Sequence, residues 1–293
     1  MIGRKNILLI GGTGFVGSYL ARKLLKEPAV NLSVIHASAL AEKPFPSVSY
    51  HQMDLTQENG QLRDITNRAD TIMILTQPNE LIIQNIIAAI RDSATPKKIV
   101  YLSTLLLYPD SENPQKEETL PEPISIYEEK KFLEEKLLAG FVNGKHIVLS
   151  IVRLANVYGD VKNNGVIAQI FQSLMEGKTL IINGQGNQKR DYIFLEDAAE
   201  LLECFIFHEQ KVSIEVFNIC TGIAYTVNEL IEKIEKVTKQ KVSYSNGPAV
   251  LEKQIIIGDN SKILNLSEYR LKYDLAKGLK KTYTNFLSAY NYA

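Results

Sequence analysis

Two side chains that could exchange a proton stand one helical turn apart near the middle of the chain. Tyr127 and Lys131 lie in the run SIYEEKK at 125–131, which follows a proline-rich loop and opens a predicted helix over 127–138. Residues four apart share one face of a helix. A phenol has a pKa of about 10, so acid–base work near neutral pH needs a shift of roughly two or three units, or about 3–4 kcal/mol. A neighbouring ammonium in a partly dry site can supply much of that shift, whereas the same pair on a solvated helix surface is inert.

A glycine-rich loop near the start of the chain could hold a cofactor that contains phosphate. The apolar run NILLI at 6–10 is followed by GGTGFVG at 11–17, after which a helix is predicted over 19–26. Glycines at 11, 14 and 17 suit a dinucleotide pyrophosphate, because they allow a tight turn, a close backbone approach and free amide groups at the helix N-terminus. We therefore predict that the cofactor is bound by Gly11, Thr13, Gly14, Phe15, Val16 and Gly17.

The residues after the next predicted strand, at 32–35, bear on which cofactor is bound. An acidic residue here commonly binds the adenosine ribose of NAD. This chain has His36 instead, followed two residues later by Ser38, so no carboxylate would repel the 2′-phosphate of NADP. His36, Ser38 and Lys43 could donate hydrogen bonds to that phosphate. The sequence therefore favours NADP over NAD, although His36 could also simply face solvent at the strand end.

Strands alternate with helices through the first half of the chain. Further apolar runs predict strands over 48–53, 71–75, 98–102 and 148–152, and helical spacing predicts a helix over 81–91. Such alternation is typical of an α/β fold with a Rossmann-type, doubly wound parallel sheet. Ligands of these sheets bind beyond the carboxyl ends of the strands, so Gly11–Gly17, Thr76, Thr104 and Tyr127 are expected to meet there.

The composition argues against several classes of function. The chain has 293 residues, of which 45% are hydrophobic, and its 33 basic and 33 acidic residues cancel. No global charge would therefore recruit nucleic acid or an anionic membrane. Two cysteines and four scattered histidines have no metal-ligand spacing, so we predict no metal and two buried thiols. The N-terminus lacks signal-peptide features and no apolar stretch approaches the ~20 residues of a membrane helix, which predicts a cytoplasmic protein.

Six motifs, taken in order, resemble one protein family. They are GGTGFVG at 11–17, LST at 102–104 followed by LLLYP, YEEKK at 127–131, RLANVYG at 153–159, GQGNQKRDYIFLEDAAE at 184–200 and FNICTG at 217–222. Together they resemble the extended short-chain dehydrogenase/reductase family, which contains nucleotide-sugar epimerases, dehydratases and reductases. The resemblance covers nearly the whole chain, and motifs in this order are more specific than any one of them.

The resemblance implies roles for individual residues. Tyr127 would be the acid–base, Lys131 would support it and hold the nicotinamide ribose, and Thr104 would hydrogen-bond the reacting oxygen. Asn156 would reach toward the substrate, and Arg190 would bind a nucleotide diphosphate unless it is simply a surface arginine. The resemblance also implies further cofactor contacts from Asp54, Leu55, Leu75 and Thr76.

Departures from the family pattern narrow the function. The sugar 4,6-dehydratases have an Asp-Glu pair after the active-site Thr, where this chain has Leu105 and Leu106. Neither side chain can carry a proton, so dehydration, which needs a second acid and base, is set aside. The fourth strand runs into Thr76-Gln77-Pro78 instead of a small pair, and Asp54 could cap the next helix rather than contact the adenine.

The resemblance further implies a domain organisation and a substrate class. A Rossmann domain of 1–158 and 190–224 would carry a smaller C-terminal substrate-binding lobe of 159–189 and 225–293. The expected substrate is a dTDP- or UDP-linked sugar. We expect a reductase of a 4-keto-6-deoxy sugar nucleotide that uses NADP, with a 4-epimerase that retains NAD as the alternative, and a homodimer through the helices at 81–91 and 127–138. A non-catalytic cofactor-sensing protein would need the glycine loop but not Thr104, Tyr127 and Lys131.

Overall fold

The secondary structure follows a β/α order in its first half and becomes more irregular afterwards. The computed structural model describes residues 4–38, 45–93, 95, 97–143 and 146–291. The strands are β1 (Lys5–Ile10), β2 (Val30–His36), β3 (Val48–Gln52), β4 (Thr71–Ile74), β5 (Lys97–Thr104), β6 (Ile147–Leu154), β7 (Asn156–Tyr158), β8 (Leu180–Ile182), β9 (Lys189–Phe194), β10 (Ile214–Ile219), β11 (Ala224–Thr226), β12 (Tyr244–Asn246) and β13 (Ile255–Ile256). The helices are α1 (Phe15–Leu24), α2 (Gly60–Arg68), α3 (Glu80–Ile90), α4 (Ile126–Val142), α5 (Val166–Glu176), α6 (Leu195–Phe207), α7 (Val227–Thr238), α8 (Ser261–Ser267) and α9 (Leu275–Asn291), with a 3-10 turn at Leu105–Leu107.

A seven-stranded sheet in the order β3-β2-β1-β4-β5-β6-β10 forms the centre of the described β/α region. The pairs β3/β2, β2/β1, β1/β4 and β4/β5 are parallel. The strand order reverses between β1 and β4, and ligands of such sheets bind at that point, beyond the carboxyl ends of the strands. The predicted α/β fold with a Rossmann-type, doubly wound parallel sheet is confirmed.

The central strands are apolar along their whole length because helices cover both faces of the sheet. The last four residues of β1, Ile7 to Ile10, are almost completely buried. Continuous apolar runs of this kind are typical of buried parallel strands. On one face, residues of α2, α3 and α4 pack against the sheet in a single core cluster that includes Leu62, Ile86 and Leu138.

The chain forms two compact units, each made of separate chain segments. The first consists of Met1–Thr104, Ile126–Arg153 and Leu202–Phe217. The second consists of Leu105–Ser125, Leu154–Leu201 and Asn218–Ala293. Its core is mostly aliphatic and includes Phe171 of α5, Phe194 of β9 and Phe286 of α9. The sequence analysis predicts a different division, according to whether a segment binds cofactor or substrate. The predicted cofactor domain is 1–158 with 190–224, and the predicted substrate lobe is 159–189 with 225–293. This division stays a prediction.

In the first half of the chain, helices α1 and α2 differ most from the sequence-based expectation. Helix α1 begins at Phe15 rather than at residue 19, so that Gly17 lies inside it and Gly14 is its N-cap. Helix α2 was not predicted, because its sequence GQLRDITNR is mostly polar. Its two large apolar residues, Leu62 and Ile65, are too few to show a helical pattern. Its start is fixed by a side-chain oxygen of Asn59, which accepts a hydrogen bond from the Gln61 amide.

Candidate active site

Helix α4 places the Tyr127 and Lys131 side chains one turn apart, as predicted. Tyr127 lies in the first turn of the helix and is 38% exposed, whereas Lys131 is 3% exposed. The pair therefore combines a phenol that a ligand can reach with an ammonium that is almost removed from water. This combination differs from a solvated pair on a helix surface, in which both side chains would be hydrated.

Backbone carbonyls fix the Lys131 ammonium at the carboxyl edge of the sheet. Its Nζ donates to the carbonyl oxygen of Leu102 on β5, at 2.8 Å, and to that of Thr76 after β4, at 3.2 Å. It also lies 4.8 Å from the centroid of the Tyr101 ring, close enough for a cation–π interaction. Burial lowers the pKa of Lys131 to about 8, while Glu134 and Glu135 oppose that shift. Lys131 is therefore charged below about pH 8 and neutral above it.

The phenol of Tyr127 is not yet activated in the protein alone. Burial, followed by the negative charges of Glu134 and Glu128, raises its pKa above the usual value. A buried ammonium four residues away acts in the opposite direction, because it stabilises a phenolate. Additional positive charge from a bound oxidised nicotinamide would be needed to bring this phenol toward neutral pH.

The residues after β4 connect the glycine loop with Lys131. The Leu75 amide donates to the Ile10 carbonyl oxygen at 2.9 Å. Gly11 has a positive φ of 83°, and a Cβ there would lie 3.2 Å from both the Leu75 carbonyl carbon and the Thr76 side chain. The Thr76 carbonyl in turn binds Lys131. The structure thus brings together Gly11, Leu75, Thr76 and Lys131, and the predicted proximity of Gly11 and Thr76 is confirmed.

The glycine loop has the donors and the space that a diphosphate requires. Gly14 caps α1 without a side chain, and the first turn of α1 contains no acidic residue. The first amide groups of a helix have no intrahelical partner and favour an anion. A Cβ at Gly14 would meet the Gly11 carbonyl oxygen at 3.2 Å and no other described atom within 4 Å. The loop from Gly11 to Gly17, with Thr13 and Gly14 exposed, therefore fits a dinucleotide cofactor.

Replacing Gly17 by Ala is expected to separate the glycine loop from α1. The new Cβ would lie 2.4 Å from the Gly11 carbonyl oxygen and 2.8 Å from the Gly12 Cα, both of which are backbone atoms. Overpacking of this kind costs roughly 1–3 kcal/mol. We expect a lower melting temperature and a loss of cofactor affinity of roughly tenfold or more, measured by calorimetry.

Gly140→Ala is the matched control for Gly17→Ala. Gly140 lies in α4, and a Cβ there would meet no described atom within 4 Å. Because alanine favours a helix over glycine, this variant should gain about 0.5–1 kcal/mol of stability. Similar losses in both variants would contradict the assigned contact.

Thr104 is the last residue of β5 and is buried. It lies two residues beyond Leu102, whose carbonyl binds Lys131, and so at the same carboxyl edge of the sheet. Ser103 points elsewhere, because its hydroxyl donates to Glu135 at 2.5 Å. These positions agree with the assignment of Thr104, rather than Ser103, as the hydroxyl near the reacting atoms, although the role itself stays a prediction.

The geometry at the end of β2 gives no support to the predicted preference for NADP. His36 is buried rather than solvent-facing, and its Nδ1 lies 2.7 Å from the Ser38 carbonyl oxygen. A carbonyl only accepts, so Nδ1 carries a proton and donates this hydrogen bond. The His36 Nδ1 is therefore not available to a 2′-phosphate. Lys43, the other predicted donor besides the Ser38 side chain, lies outside the described residues.

Asp54 and Leu55 follow β3 at the same edge of the sheet. Asp54 does not cap the next helix, since its Oδ1 accepts from the Thr56 amide at 2.9 Å and from the Thr56 hydroxyl at 2.7 Å. Those two hydrogen bonds lower the pKa of Asp54. The Leu55 carbonyl accepts from Asn85 of α3 at 2.8 Å. The proposed contacts of Asp54 and Leu55 with the cofactor stay predictions.

The apolar face of α3 packs inward. Ile86, Ala89 and Ile90 belong to the core beside the sheet, whereas Leu81 is 53% exposed. From the sequence, this face could pack either on the sheet or on a dimer partner. Ile86, Ala89 and Ile90 pack on the sheet. Dimerisation through α3 and α4 stays a prediction.

In the second compact unit, the two predicted substrate residues line one cleft of about 240 Å³. Asn156 begins β7 and is exposed, whereas Arg190 of β9 is buried. The Arg190 guanidinium donates to Glu252 at 2.6 Å and to the Lys189 carbonyl at 2.9 Å. Arg190 is therefore an ordered cation in a cleft rather than a surface arginine. Glu252 was not predicted, because more than sixty residues separate it from Arg190 and no local motif marks it.

A buried ion pair of α4, one turn after Lys131, was not predicted from the sequence. Glu135 of α4 accepts from Arg153 of β6 through both oxygens, at 3.2 and 2.9 Å, and both side chains are 5% exposed. In the sequence, the run EEKKFLEEK reads as a solvated surface. Helical spacing nevertheless indicated which of these residues are buried. Counting back from the apolar Val142 and Leu138 in steps of three or four residues reaches Glu135, Lys131 and Glu128, which are all buried.

Glu134 is a second buried carboxylate of this helix that was not predicted. One oxygen accepts from the Asn79 amide at the start of α3, at 2.5 Å, and the other accepts from the Tyr101 hydroxyl. Glu134 thus connects α4 with β5 and with the turn that follows β4.

The described residues contain neither a metal site nor a membrane-spanning helix. No group of three or more His, Cys, Asp and Glu side chains in the described ranges could hold a metal ion. Among the described helices, none is both long and apolar enough to cross a membrane. Of the two cysteines predicted to be buried thiols, Cys220 is buried and Cys204 is half-buried.

Known proteins resemble this chain in sequence and in fold. A model of the NAD dependent epimerase/dehydratase family matches residues 7–220. The UDP-N-acetyl-alpha-D-glucosaminuronate decarboxylase of Bacillus cytotoxicus is 24% identical and covers 95% of this chain and 97% of its own. The dTDP-4-dehydro-6-deoxyglucose reductase of Escherichia coli is 26% identical, with coverages of 96% and 98%. The solved structure of UDP-glucuronic acid 4-epimerase from Bacillus cereus, in complex with UDP-glucuronic acid and NAD, superposes with a TM-score of 0.87 at 22% identity, covering 97% and 99% of the two chains.

The family match spans more than half of the chain, and it includes the glycine loop, Thr104, Tyr127, Lys131 and Arg190. The solved structure supports the fold, and the relatives with full coverage are nucleotide-sugar enzymes. The chain therefore belongs to the NAD-dependent epimerase/dehydratase family and is an enzyme of the extended short-chain dehydrogenase/reductase class.

Proposed function

We propose that this enzyme is an NAD-dependent 4-epimerase of a UDP-linked sugar, with Tyr127 as its acid and base. The observation that carries the proposal is the position of Lys131, whose ammonium is buried one turn from Tyr127 and bound to Thr76 beside the glycine loop. A proton-exchanging phenol and a dinucleotide-binding loop at one sheet edge suit the oxidation of an alcohol.

In this proposal, each residue of the site has a separate task. Tyr127 takes the proton from the C4 hydroxyl and later returns one. Lys131 stabilises the phenolate by its charge, and the Thr104 hydroxyl holds the reacting oxygen by a hydrogen bond. When bound, NAD would supply the nicotinamide that takes up the hydride from C4 and returns it, so that the C4–H bond broken in the oxidation forms again in the reduction. Leu105 and Leu106 offer no second acid or base, so dehydration is not part of the proposal.

The choice of NAD over the NADP favoured by the sequence rests on the end of β2. The Ser38 carbonyl accepts from the Nδ1 of His36, so that N–H is not available to a 2′-phosphate. The solved 4-epimerase with this fold binds NAD. An epimerase regenerates its cofactor within each cycle and has no need of a reducing pool, so retained NAD fits that reaction.

Reduction of a 4-keto-6-deoxy sugar nucleotide is the second candidate. The relative from Escherichia coli, a dTDP-4-dehydro-6-deoxyglucose reductase, matches 96% of this chain at 26% identity. No carboxylate follows β2, so the site does not repel a 2′-phosphate. The two reactions use the same Tyr127, Lys131 and Thr104, and the fate of the cofactor distinguishes them.

For the substrate, we propose a UDP-sugar whose diphosphate is bound by Arg190. A guanidinium presents two parallel N–H groups and suits a diphosphate better than a mobile ammonium does. The carboxylate of Glu252 already binds this guanidinium, so it sets the orientation of Arg190. The exposed Asn156 of the same cleft is proposed to contact the substrate.

The test combines cofactor identification with product analysis. Nucleotides released from the purified, denatured protein are identified by chromatography, and calorimetry compares NAD with NADP. UDP-glucose, UDP-glucuronic acid and UDP-N-acetylglucosamine are then followed by proton NMR and by absorbance of the reduced nicotinamide. We expect retained NAD and a C4 epimer without net absorbance change. Consumption of NADPH with a dTDP- or UDP-linked 4-keto-6-deoxy sugar would establish the reductase instead, and release of carbon dioxide from UDP-glucuronic acid would contradict both.

A further inference from the structure

Glu134 is a buried carboxylate with no part in the proton transfer described above. It is 2% exposed, and its two oxygens accept from the Asn79 amide and the Tyr101 hydroxyl. It forms no ion pair with a described lysine, arginine or histidine. A buried carboxylate without a bonded cation is costly, because its charge loses hydration. The charge of Glu134 must therefore be balanced from a distance.

The Lys131 ammonium balances the charge of Glu134, and the Tyr101 side chain lies between them. The Lys131 ammonium is 4.8 Å from the Tyr101 ring centroid, and the hydroxyl of the same ring donates to Glu134. Burial, followed by the charge of Glu134, raises the pKa of Tyr101, so this hydroxyl keeps its proton and remains a donor. Donation to a carboxylate makes the ring richer in electrons, which strengthens its attraction for the ammonium.

Two other acids of α4 lie near Lys131. Glu135 also opposes the lowering of the Lys131 pKa, but its carboxylate is paired with the Arg153 guanidinium of β6. Glu128 is buried one turn earlier, beside Tyr127, and contributes to the field at the phenol. The direct contacts of Lys131 on β5 and after β4 are the neutral carbonyls of Leu102 and Thr76 and the neutral Tyr101 ring. Glu134 is thus the negative charge that the Tyr101 ring connects directly to the Lys131 ammonium.

We infer that Glu134 is a positioning residue of the active site, which acts through Tyr101 to keep the buried Lys131 ammonium charged between the Thr76 and Leu102 carbonyls. Through the Asn79 amide, the same carboxylate ties α4 to the turn that carries Thr76. The importance of Lys131 for catalysis rests on the proposed function. The charge state of Lys131 does not, because it can be measured without substrate or cofactor.

The test is a titration of Lys131 in the ligand-free protein. The protein is labelled with carbon-13 at the lysine Cε, and the Lys131 resonance is assigned by its absence from the Lys131→Met spectrum. The wild-type midpoint is expected near pH 8, the value to which burial lowers the Lys131 pKa. Glu134→Gln removes the charge but keeps the size, and its amide can donate to the Tyr101 oxygen while its carbonyl accepts from Asn79. We expect it to lower the midpoint by roughly one to two pH units.

Two further variants separate charge from fold. Glu129→Gln removes an exposed acid from the same helix and should shift the midpoint by less than about 0.3 units, because exposed charges are screened. Tyr101→Phe keeps the carboxylate and removes the hydroxyl, and should lower the midpoint by a smaller amount than Glu134→Gln. It also tests the inference if Glu134→Gln fails to fold by circular dichroism.

An unchanged midpoint in folded Glu134→Gln, or in Tyr101→Phe where Glu134→Gln does not fold, would overturn the inference. Equal shifts in Glu129→Gln and Glu134→Gln would do so as well. A different result would separate the two proposals. If the wild-type protein does not bind NAD but the Lys131 midpoint falls in Glu134→Gln as expected, the proposed function is contradicted and the inferred role of Glu134 is not.

Discussion

Tyr127→Phe is expected to lower turnover of the UDP-sugar by roughly 10²–10⁴-fold, the usual contribution of a positioned acid–base group. The variant removes only the hydroxyl that exchanges the proton. It should therefore keep its fold and its affinity for NAD, because the glycine loop and Lys131 are unchanged. Turnover is measured by proton NMR of the sugar product, and NAD affinity by calorimetry.

Tyr290→Phe is the matched control for Tyr127→Phe. Tyr290 lies in α9 of the second unit, is 39% exposed and donates to Glu176 at 3.0 Å. It resembles Tyr127 in exposure but has no part in the proposed chemistry, so its turnover should equal that of the wild type. Full turnover in Tyr127→Phe would remove Tyr127 as the acid–base. If neither the wild type nor Tyr127→Phe converts any UDP-sugar, the result favours a sensing protein instead.

Glu135→Ala is expected to destabilise the protein by about 3–5 kcal/mol, the usual cost of leaving one partner of a buried ion pair uncompensated. Arg153 would then keep a positive charge that is 5% exposed, and the Ser103 hydroxyl would lose its acceptor. The loss is measured by urea unfolding monitored by circular dichroism. The double variant Glu135→Leu with Arg153→Met should regain most of it, because apolar residues of similar volume replace both charges.

Asp92→Ala provides the comparison for that measurement. Asp92 pairs with Arg63 at the same distance of 2.9 Å, but the two side chains are 71% and 55% exposed. Exposed pairs contribute about 0–1 kcal/mol, so the change should be small. Comparable losses in Asp92→Ala and Glu135→Ala would show that burial does not determine the strength of the Glu135–Arg153 pair.

The elements that carry the site could be predicted because their patterns are strong. Continuous apolar runs gave β1, β4, β5 and β6 within a few residues, and the glycine loop marked the turn after β1. Tyr127 and Lys131 were predicted to share a helix face, since the spacing of four residues is a local property. Helix α2 escaped prediction because its apolar residues are few, and tertiary packing rather than local pattern stabilises it.

The surroundings of the site residues could not be predicted in the same way. Whether His36 faces a ligand or the Ser38 carbonyl depends on a ring orientation that the sequence does not encode. The partners of Glu134 come from β5 and from the start of α3, which lie 33 and 55 residues away in the chain. Such contacts follow from the fold as a whole, and a glutamate in a charged helical run carries no sign of them.

The position of β10 in the central sheet has a consequence for synthesis of the chain on the ribosome. β10 (Ile214–Ile219) covers the outer edge of β6 (Ile147–Leu154), and the Leu149 amide binds the Ser213 carbonyl at 2.8 Å. All of residues 155–213 must be made before that edge can pair, which takes roughly 3–12 s at common translation rates. Throughout that interval the nascent chain carries an apolar strand with unpaired backbone groups, a surface that recruits other chains. The length of the segment between these two strands therefore sets how long the edge of β6 stays open to pairing with other chains.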